Sequence, residues 1–238
     1  MSSRLLPVVL FLGALAHAAD SSAAGPIAQK VQVSHTDRFT LPSGGTLRLE
    51  HSFGELGIEG WDRQEVEITT VKSTNDFYAP ADRAKAAAGL EKVHITSELR
   101  GKDVVVTTAS PRHGIPGSPW NEPPIDLEYR IKAPIGASIA VDHGTGEIYF
   151  YGVSGDINAR VRNGGITLDL PSGSQYSVDA SSDWGIAASD FPGTPHGRFW
   201  LVGHQFTGKS SDGGHSLVLK AGYGDIIIFK TWKPEATQ

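Results

Sequence analysis

Apolar and polar residues alternate along most of the chain, and this alternation is the first guide to its structure. The pattern is clear in Val31-Gln32-Val33, in Leu47-Arg48-Leu49 and across residues 125–131. A period of two places every second side chain on one face of an extended strand. One stretch differs, because Pro80 suits the first turn of a helix and residues 81–92 are rich in Ala, Lys, Leu and Glu. The sequence therefore predicts an all-β protein with one short surface helix.

A short phrase recurs along the chain: a small residue, often an acid, and then an aliphatic residue. Its copies are Gly54-Glu55-Leu56, Gly146-Glu147-Ile148, Gly155-Asp156-Ile157, Gly164-Gly165-Ile166, Trp184-Gly185-Ile186 and Gly224-Asp225-Ile226. Three successive copies place Ile148, Ile157 and Ile166 nine residues apart. A glycine before the aliphatic residue is typical of a turn that needs positive φ or a close backbone approach. We therefore predict structural turn glycines at Gly54, Gly146, Gly155, Gly165, Gly185 and Gly224.

Stacked short strands are the structure that this degenerate repeat predicts. Each strand would send one or two aliphatic side chains inward and would turn at its glycine. The expected inward residues of the central part are Ile139, Val141, Ile148, Phe150, Val153, Ile157, Val161, Ile166, Leu168, Leu170, Val178 and Ile186. The predicted fold is an irregular, β-helix-like β-solenoid of short repeated rungs, with the terminal segments capping its open ends. A two-sheet β-sandwich is the alternative.

The amino terminus predicts export. Arg4 precedes an apolar run over residues 5–16, and Ala16-His17-Ala18 has the small-x-small pattern of a signal-peptidase site. We expect residues 1–19 to be a signal peptide and residues 20–35 a flexible leader. Residues 36–232 then form a single β domain, and residues 233–238 a polar tail. The expected location is the periplasm, the cell surface or the exterior of a bacterial cell.

Composition narrows the classes of partner and chemistry. The chain has no cysteine, which excludes disulfides, thiol catalysis and a lipid-bearing cysteine. Its net charge is −5, and without a basic patch to neutralise phosphates we expect no nucleic-acid partner. After the amino-terminal run, no apolar stretch reaches the roughly 20 residues that a membrane-spanning helix needs. We therefore expect no integral membrane segment in the mature chain.

Three stretches carry a family resemblance. The first runs from Gly45-Thr46-Leu47-Arg48-Leu49 through Ile58-Glu59-Gly60-Trp61-Asp62 to Val66-Glu67-Ile68, the second is Pro134-Ile135-Gly136-Ala137-Ser138-Ile139, and the third is the set of Gly-Asp-Ile phrases up to residue 229. In these features the chain resembles the adhesin-like domain family of bacterial exported proteins over most of residues 36–230. The resemblance implies a β-helix-like or solenoid fold and a role at the cell envelope or surface. It brings no catalytic residues to this chain.

Acids and histidines are the candidates for chemistry. Four acids share one place in their phrases, namely Glu55, Glu147, Asp156 and Asp225. A column of such carboxylates could hold Ca²⁺, and solvated turn carboxylates are the other interpretation. Glycoside cleavage would need two acids about 5 to 9.5 Å apart, and the histidines lack metal-ligand spacing beyond the pair Glu91 and His94. We predict no catalytic residue, no metal and no cofactor.

Aromatic residues carry the binding hypothesis. Trp120 stands in a Pro-rich stretch and Trp184 in a copy of the recurring phrase, and Phe199, Trp200 and Phe206 stand in an irregular segment closer to the carboxyl end. Exposed rings stack on sugars or anchor protein partners, whereas buried rings pack a core. Trp120, Trp200 and Phe206 are therefore the candidate ligand contacts, with core packing as the alternative.

The function that these observations favour is an exported, non-catalytic binding or structural module of the cell envelope or surface. Its expected partner is an envelope protein or a polysaccharide. One alternative is a polysaccharide-active enzyme, a glycoside hydrolase or lyase on a solenoid, which would need a cleft with two close carboxylates. The other is an accessory protein to a membrane or signalling partner.

Overall fold

The computed structural model describes residues 28–110, 125–173, 175–197, 203–209 and 214–231. These residues form one eight-stranded and one nine-stranded β-sheet. The predicted signal peptide and polar tail lie outside the described residues. The strands are β1 Gln32–Thr40, β2 Thr46–Ser52, β3 Glu55–Trp61, β4 Glu65–Thr74, β5 His94–Arg100, β6 Asp103–Ala109, β7 Ile125–Pro134, β8 Ser138–Thr145, β9 Ile148–Tyr151, β10 Ile157–Asn163, β11 Ile166–Pro171, β12 Tyr176–Trp184, β13 Ala187–Ser189, β14 Thr194–Gly197, β15 His204–Lys209, β16 His215–Tyr223 and β17 Ile226–Thr231.

One short α-helix, α1 (Arg83–Leu90), interrupts the strands of the described chain. It follows a single 3₁₀ turn at Pro80–Asp82, and Ala86 and Leu90 are its buried residues. The predicted short surface helix is therefore confirmed. Across the described ranges, none of the helical structure has the length and apolar character needed to cross a membrane.

The chain passes repeatedly from one sheet to the other. In the nine-stranded sheet the order is β14-β15-β12-β16-β10-β8-β2-β6-β5, and in the eight-stranded sheet it is β1-β4-β7-β3-β9-β11-β17-β13. Neighbours in the middle of each sheet are parallel, as in β8–β10 and β9–β11. The nine-stranded sheet ends in antiparallel pairs on both sides, as in β5–β6 and β14–β15. The eight-stranded sheet is antiparallel only on the β1–β4 side and ends in the parallel pair β17–β13 on the other. Both sheets are therefore mixed, with a parallel centre.

The register of the parallel centre explains the spacing of the recurring phrase. Ile157 pairs with Ile139 in the nine-stranded sheet, and Ile166 pairs with Ile148 in the eight-stranded sheet, each with a residue 18 positions earlier. Successive copies nine residues apart lie in opposite sheets, since the chain crosses between them after each strand. The nine-residue spacing of the phrase is thus half of the 18-residue sequence separation between paired residues.

The two sheets share one apolar core, as in a β-sandwich. Leu47 and Ile139 from the nine-stranded sheet belong to the same buried cluster as Leu56 and Phe150 from the eight-stranded sheet. All of the predicted inward residues are buried except Ile186. Each fully buried aliphatic side chain contributes roughly 1.5 to 3 kcal/mol, so this shared core is the main source of stability.

The prediction for Ile186 was wrong, because the phrase is shifted by one residue at this copy. Ile186 is 46% exposed, whereas Ala187 is buried and pairs with Ile226. The chain turns at Gly185, so the next residue points away from the core, as Asp225 does in its own phrase. The correct copy is therefore Gly185-Ile186-Ala187.

The carboxyl-terminal strands also differ from their predicted place at an end of the stack. β16 lies between β10 and β12, and β17 lies between β11 and β13. Leu217, Leu219 and Ile226 are fully buried there. The inward positions of both strands are apolar, and each strand has a paired neighbour on both sides, so both are interior strands of their sheets. At the other end of the chain, β1 does occupy an edge of the eight-stranded sheet.

A column of glycines marks the corner where the nine-stranded sheet passes into the eight-stranded sheet. In spatial order the glycine column consists of Gly185, Gly224, Gly164, Gly146 and Gly54. A Cβ on Gly164 would overlap the carbonyl oxygen of Gly146, and a Cβ on Gly146 would overlap that of Gly54. Gly164 and Gly146 also have φ angles of 137° and 124°, which L side chains rarely adopt. The column therefore leaves no room for any side chain.

Two of the predicted turn glycines lie outside this column. Gly165 follows Gly164, and a Cβ there would meet the carboxylate of Glu147. Gly155 lies where the chain enters β10, and a Cβ there would overlap the carbonyl oxygen of Ala137. Gly164 was not predicted as a turn glycine, because two adjacent glycines occupy that copy of the phrase and Gly165 was chosen instead.

We predict that Gly164→Ala lowers the free energy of unfolding by at least about 2 kcal/mol, because the new Cβ must push two strands apart. Gly136→Ala is the matched control, since nothing lies within 4 Å of a Cβ added there. The control should stay within about 0.5 kcal/mol of the wild type. Urea unfolding of the two variants checks this, and equal stabilities would show that the corner is not tightly packed.

Candidate functional site

Three of the four acids that share one place in the recurring phrase accept hydrogen bonds from backbone N–H groups. The Glu147 carboxylate accepts a hydrogen bond from the Gly165 N–H at 2.9 Å, and Asp225 accepts one from the Ile186 N–H at 2.9 Å. Asp156 does the same for the N–H of Ser216 at 2.8 Å. These carboxylates tie each strand to its neighbour. In the part of the chain that the structure describes, no group of three or more His, Asp or Glu residues could hold a metal ion.

A buried polar pair lies beneath the glycine column. Ser52 and His143 are 1% and 2% exposed, and Ser52 Oγ lies 2.8 Å from His143 Nδ1. His143 Nε2 lies 3.0 Å from the carbonyl oxygen of Gly54. A carbonyl can only accept, so Nε2 carries the proton and Nδ1 accepts from the serine hydroxyl. Burial lowers the pKa of His143 to about 4, which keeps the ring neutral at physiological pH.

The extra residue that brings this pair together lies at His51. Leu49 pairs with Val141, but Ser52 pairs with His143, so β2 carries one more residue than β8 over this stretch. His51 takes up the difference with a φ of 59°. A β-bulge of this kind turns the following side chain to a new direction. The bulge therefore places Ser52 inward, opposite His143.

Of the three aromatic residues predicted to contact a ligand, one lies within the described residues. Trp120 and Trp200 lie outside the described residues. Phe206 is 5% exposed, and its ring lies against Gly193 and Gly208. Phe206 therefore offers no free ring face in this structure.

Two other aromatic residues form an exposed pair at the corner. Trp184 and Tyr223 are cross-strand neighbours on β12 and β16, and their rings stack 5.8 Å apart at an angle of 12°. Trp184 is 56% exposed and Tyr223 is 50% exposed. We call these two residues the corner aromatic pair. Each stands directly before a glycine of the column, Gly185 or Gly224. Trp184 was among the aromatic residues singled out from the sequence, whereas Tyr223 was not, and this shared place is the sequence signal that would have identified it.

A second aromatic surface lies on the outer face of the eight-stranded sheet. Tyr149 and Tyr151 stack 6.1 Å apart at 9°, and a groove of about 380 Å³ beside Tyr151 is lined by Arg130, Lys132 and other residues. These cations are already engaged. Arg130 is hydrogen-bonded to Glu128, and Lys132 Nζ lies 5.9 Å from the centre of the Trp61 ring.

Three cations line a groove on the outer face of the nine-stranded sheet. Arg160 on β10 pairs in register with Lys220 on β16, and Arg162 is two residues further along β10 on the same face. With Gly222 and Tyr223 they line a space of about 580 Å³. We call this the cation groove. Since Tyr223 belongs to both, the cation groove adjoins the corner aromatic pair.

The cations of this groove have no acidic partner within the described residues. No ion pair or hydrogen bond joins Arg160, Arg162 or Lys220 to a described side chain, and each is exposed. Asp142 on β8 is the register partner of Arg160, but no ion pair joins their side chains, and the Asp142 carboxylate lies 3.8 Å from His51 Nδ1. The groove therefore has exposed cations together with two acids in its lining, Asp142 and Asp183.

Comparison with known proteins identifies a similar fold. No family model and no curated protein matches the chain. A solved structure named a "putative cell adhesion protein", from Clostridium sporogenes, is 16% identical and aligns over 84% of this chain and 100% of its own, with a TM-score of 0.50. A "putative adhesin" from Bacteroides fragilis is 8% identical over 83% of this chain and 97% of its own, with a TM-score of 0.24. The similarity to the first structure concerns the fold alone, and the TM-score of the second structure is too low to support an argument.

The buried histidine leads to a prediction about pH. The pKa of His143 is about 4 in the folded chain and 6.5 for an ordinary histidine. Between these values the unfolded chain takes up a proton that the folded chain resists, so the free energy of unfolding falls as the pH falls. Between pH 6.5 and pH 4 this proton uptake lowers the free energy of unfolding by on the order of 3 kcal/mol.

We expect His143→Gln to lose less stability than the wild type over that window, because glutamine keeps a donor for Gly54 and does not titrate. Thermal unfolding at the two ends of the window measures the difference. His94→Gln, at an exposed site, is the control and should lose as much as the wild type. An equal loss in the wild type and in His143→Gln would contradict the assignment.

Proposed function

We propose that this protein is an exported, non-catalytic binding module of adhesin-like type at the cell envelope or surface, with a polysaccharide as its ligand. The observation that carries the proposal is the corner aromatic pair, in which Trp184 and Tyr223 stack while each keeps about half of its surface exposed. Two stacked rings held on neighbouring strands offer a fixed apolar surface. Sugar rings present an apolar face of matching shape, and binding would bury this surface.

The rigidity of its supports makes this pair suitable for binding. Trp184 and Tyr223 end two strands that pair along their whole length, and the glycine column fixes the turn that follows each of them. The backbone N–H of Gly224 donates to the carbonyl of Trp184 at 3.2 Å. A ring on such a support loses little freedom when it meets a ligand, which lowers the cost of binding.

The overall fold is also consistent with an adhesin-like role. The Clostridium sporogenes protein of similar fold is named a "putative cell adhesion protein", and we extend this role to the present chain as part of the proposal. We also interpret the parallel centre of the two sheets as a short, irregular solenoid, because paired strands 18 positions apart repeat the same crossing. The signal peptide expected at residues 1–19 would carry the chain out of the cytoplasm.

The corner acids support a non-catalytic role over the polysaccharide-active alternative. Glu147 and Asp225 each bind an N–H group of the next strand, so their side chains are engaged in holding the corner together. A glycoside hydrolase would instead need two carboxylates free to face the same sugar bond.

We predict that Trp184→Ala and Tyr223→Ala each weaken retention of an envelope polysaccharide fraction about 3- to 10-fold, because each removes one of the two stacked rings. The measurement uses the purified protein with envelope extract of its own organism, separated into polysaccharide and protein fractions. Tyr151→Ala is the matched control, since it removes an exposed ring from the other sheet. Melting temperatures confirm that all variants are folded.

Retention that is unchanged in both corner variants, or lost equally in Tyr151→Ala, would overturn the role of the corner aromatic pair. Retention of the protein fraction alone would replace polysaccharide with an envelope protein as the ligand. Shortening of the retained polysaccharide chains would favour the enzyme.

A further inference from the structure

We propose that the cation groove binds the acidic groups, carboxylate or sulfate, of an anionic polysaccharide that also lies against the corner aromatic pair. This inference rests on the proposed function and specifies its ligand class. It places the charged groups of the sugar chain among Arg160, Arg162 and Lys220, and an uncharged sugar ring against Tyr223.

The first argument is the placement of like charges. Arg160 and Lys220 are direct neighbours on parallel strands, and both point away from the core between inward residues that are buried. Arg160 also has Asp142 as its partner on β8, which offsets its charge from one side, whereas the other partner of Lys220 is the uncharged Ser181. The Arg160–Lys220 pair still places like charges directly opposite one another, which destabilises a sheet. An anion between them would remove this repulsion and gain two charge-assisted hydrogen bonds.

The second argument is the shape of the groove. Gly222 lies beside the backbone of Arg162, because a Cβ added to Gly222 would lie 2.5 Å from the Arg162 carbonyl oxygen. A bare stretch of backbone therefore lies next to the long side chain of Arg162. Lys220 stands two residues before Gly222 on the same strand. The resulting depression of about 580 Å³ is large enough for a sugar unit with its acidic substituent, since ligand sites in proteins span roughly 300 to 1,000 Å³.

The third argument concerns the class of polyanion. Ser181, Asp142 and Asp183 also line the groove, and a hydroxyl or carboxylate is a suitable acceptor for sugar hydroxyl groups. The same carboxylates would repel the closely spaced phosphates of a nucleic acid. The net charge of the chain is −5, which weakens long-range attraction of nucleic acid as well. A polysaccharide with separated acidic groups fits this mixed lining better.

A comparison with a groove beside the glycine column sharpens the assignment. That groove has about 480 Å³ and includes Lys30 and Asp126 among its lining residues. Lys30 Nζ lies 2.9 Å from the Asp126 carboxylate, so its cation already has an anion. The cation groove differs in that all three of its cations lack such a partner among the described side chains.

The test is binding of the purified full-length protein to four probes: alginate oligosaccharides with carboxylates, heparin with sulfates, uncharged dextran, and single-stranded DNA. We expect alginate or heparin to bind more tightly than dextran and DNA. Arg160→Gln, Arg162→Gln and Lys220→Gln should each weaken that binding about tenfold, and added salt should weaken it in the wild type. The better of the two acidic probes tells carboxylate from sulfate.

Lys102→Gln is the matched charge control, since it removes an exposed cation in the β5–β6 turn and should leave binding unchanged. Lys220→Gln should melt no lower than the wild type, because it relieves the repulsion of Arg160. DNA binding as tight as that of the acidic sugars, equal weakening by Lys102→Gln, or no binding of either acidic sugar would overturn the inference.

The outcome also separates this inference from the proposed function. If the protein retains a neutral polysaccharide that Trp184→Ala releases and Arg160→Gln does not, the proposed function holds and the acidic ligand is wrong. If the envelope extract yields no retained polysaccharide at all, while alginate or heparin binding still depends on the three cations, the groove is an anion site and the proposed function is wrong.

Discussion

The close approach of neighbouring backbones at the glycine column is the constraint on which the rest of the structure depends. The N–H of Gly146 donates to the carbonyl of Asn163 at 2.9 Å, and the N–H of Gly164 donates to that of Tyr223 at 2.7 Å. These bonds carry the ladder of the nine-stranded sheet around the corner into the eight-stranded sheet. Because no Cβ fits between the strands there, glycine sets both the place and the tightness of the corner.

The polar side chains around the column follow from this constraint. A corner this tight leaves backbone groups that the ladder cannot reach, and a buried group without a partner is costly. Asp225 accepts the N–H of Ile186, His143 donates to the carbonyl of Gly54, and Ser182 donates to that of Gly224 at 2.7 Å. Three of the four acids that resemble a ligand column in the sequence, Glu147, Asp156 and Asp225, are thus explained by hydrogen bonding to the neighbouring strand.

Local signals were enough to predict most of the strands, the helix and most of the core, because each depends on a few adjacent residues. The segment around Phe206 was predicted to be irregular, and this was wrong, because β14 and β15 lie there and their pairing depends on distant partners. Strand order was not predictable in this way. β16 and β17 have the same inward pattern as the strands beside them, so nothing local indicates that they lie between β10 and β12 and between β11 and β13. The shift at Ile186 has a related cause, since Trp184-Gly185-Ile186 fits the phrase in two alignments and only pairing with Ile226 through Ala187 decides between them.

The same strand order decides which charged side chains become neighbours on the outer face of the nine-stranded sheet. The core fixes the register, because Ile157 pairs with Leu217 and both are buried. That register brings Arg160 beside Lys220, although the two stand far apart in the sequence. The fold requires only that these outward positions be compatible with water, and many polar residues would satisfy it without repulsion. Asp142 on β8 offsets the charge of Arg160 from one side, but Lys220 has only Ser181 on its other side. The second cation is therefore not explained by folding, and an anionic ligand is the partner that would explain it.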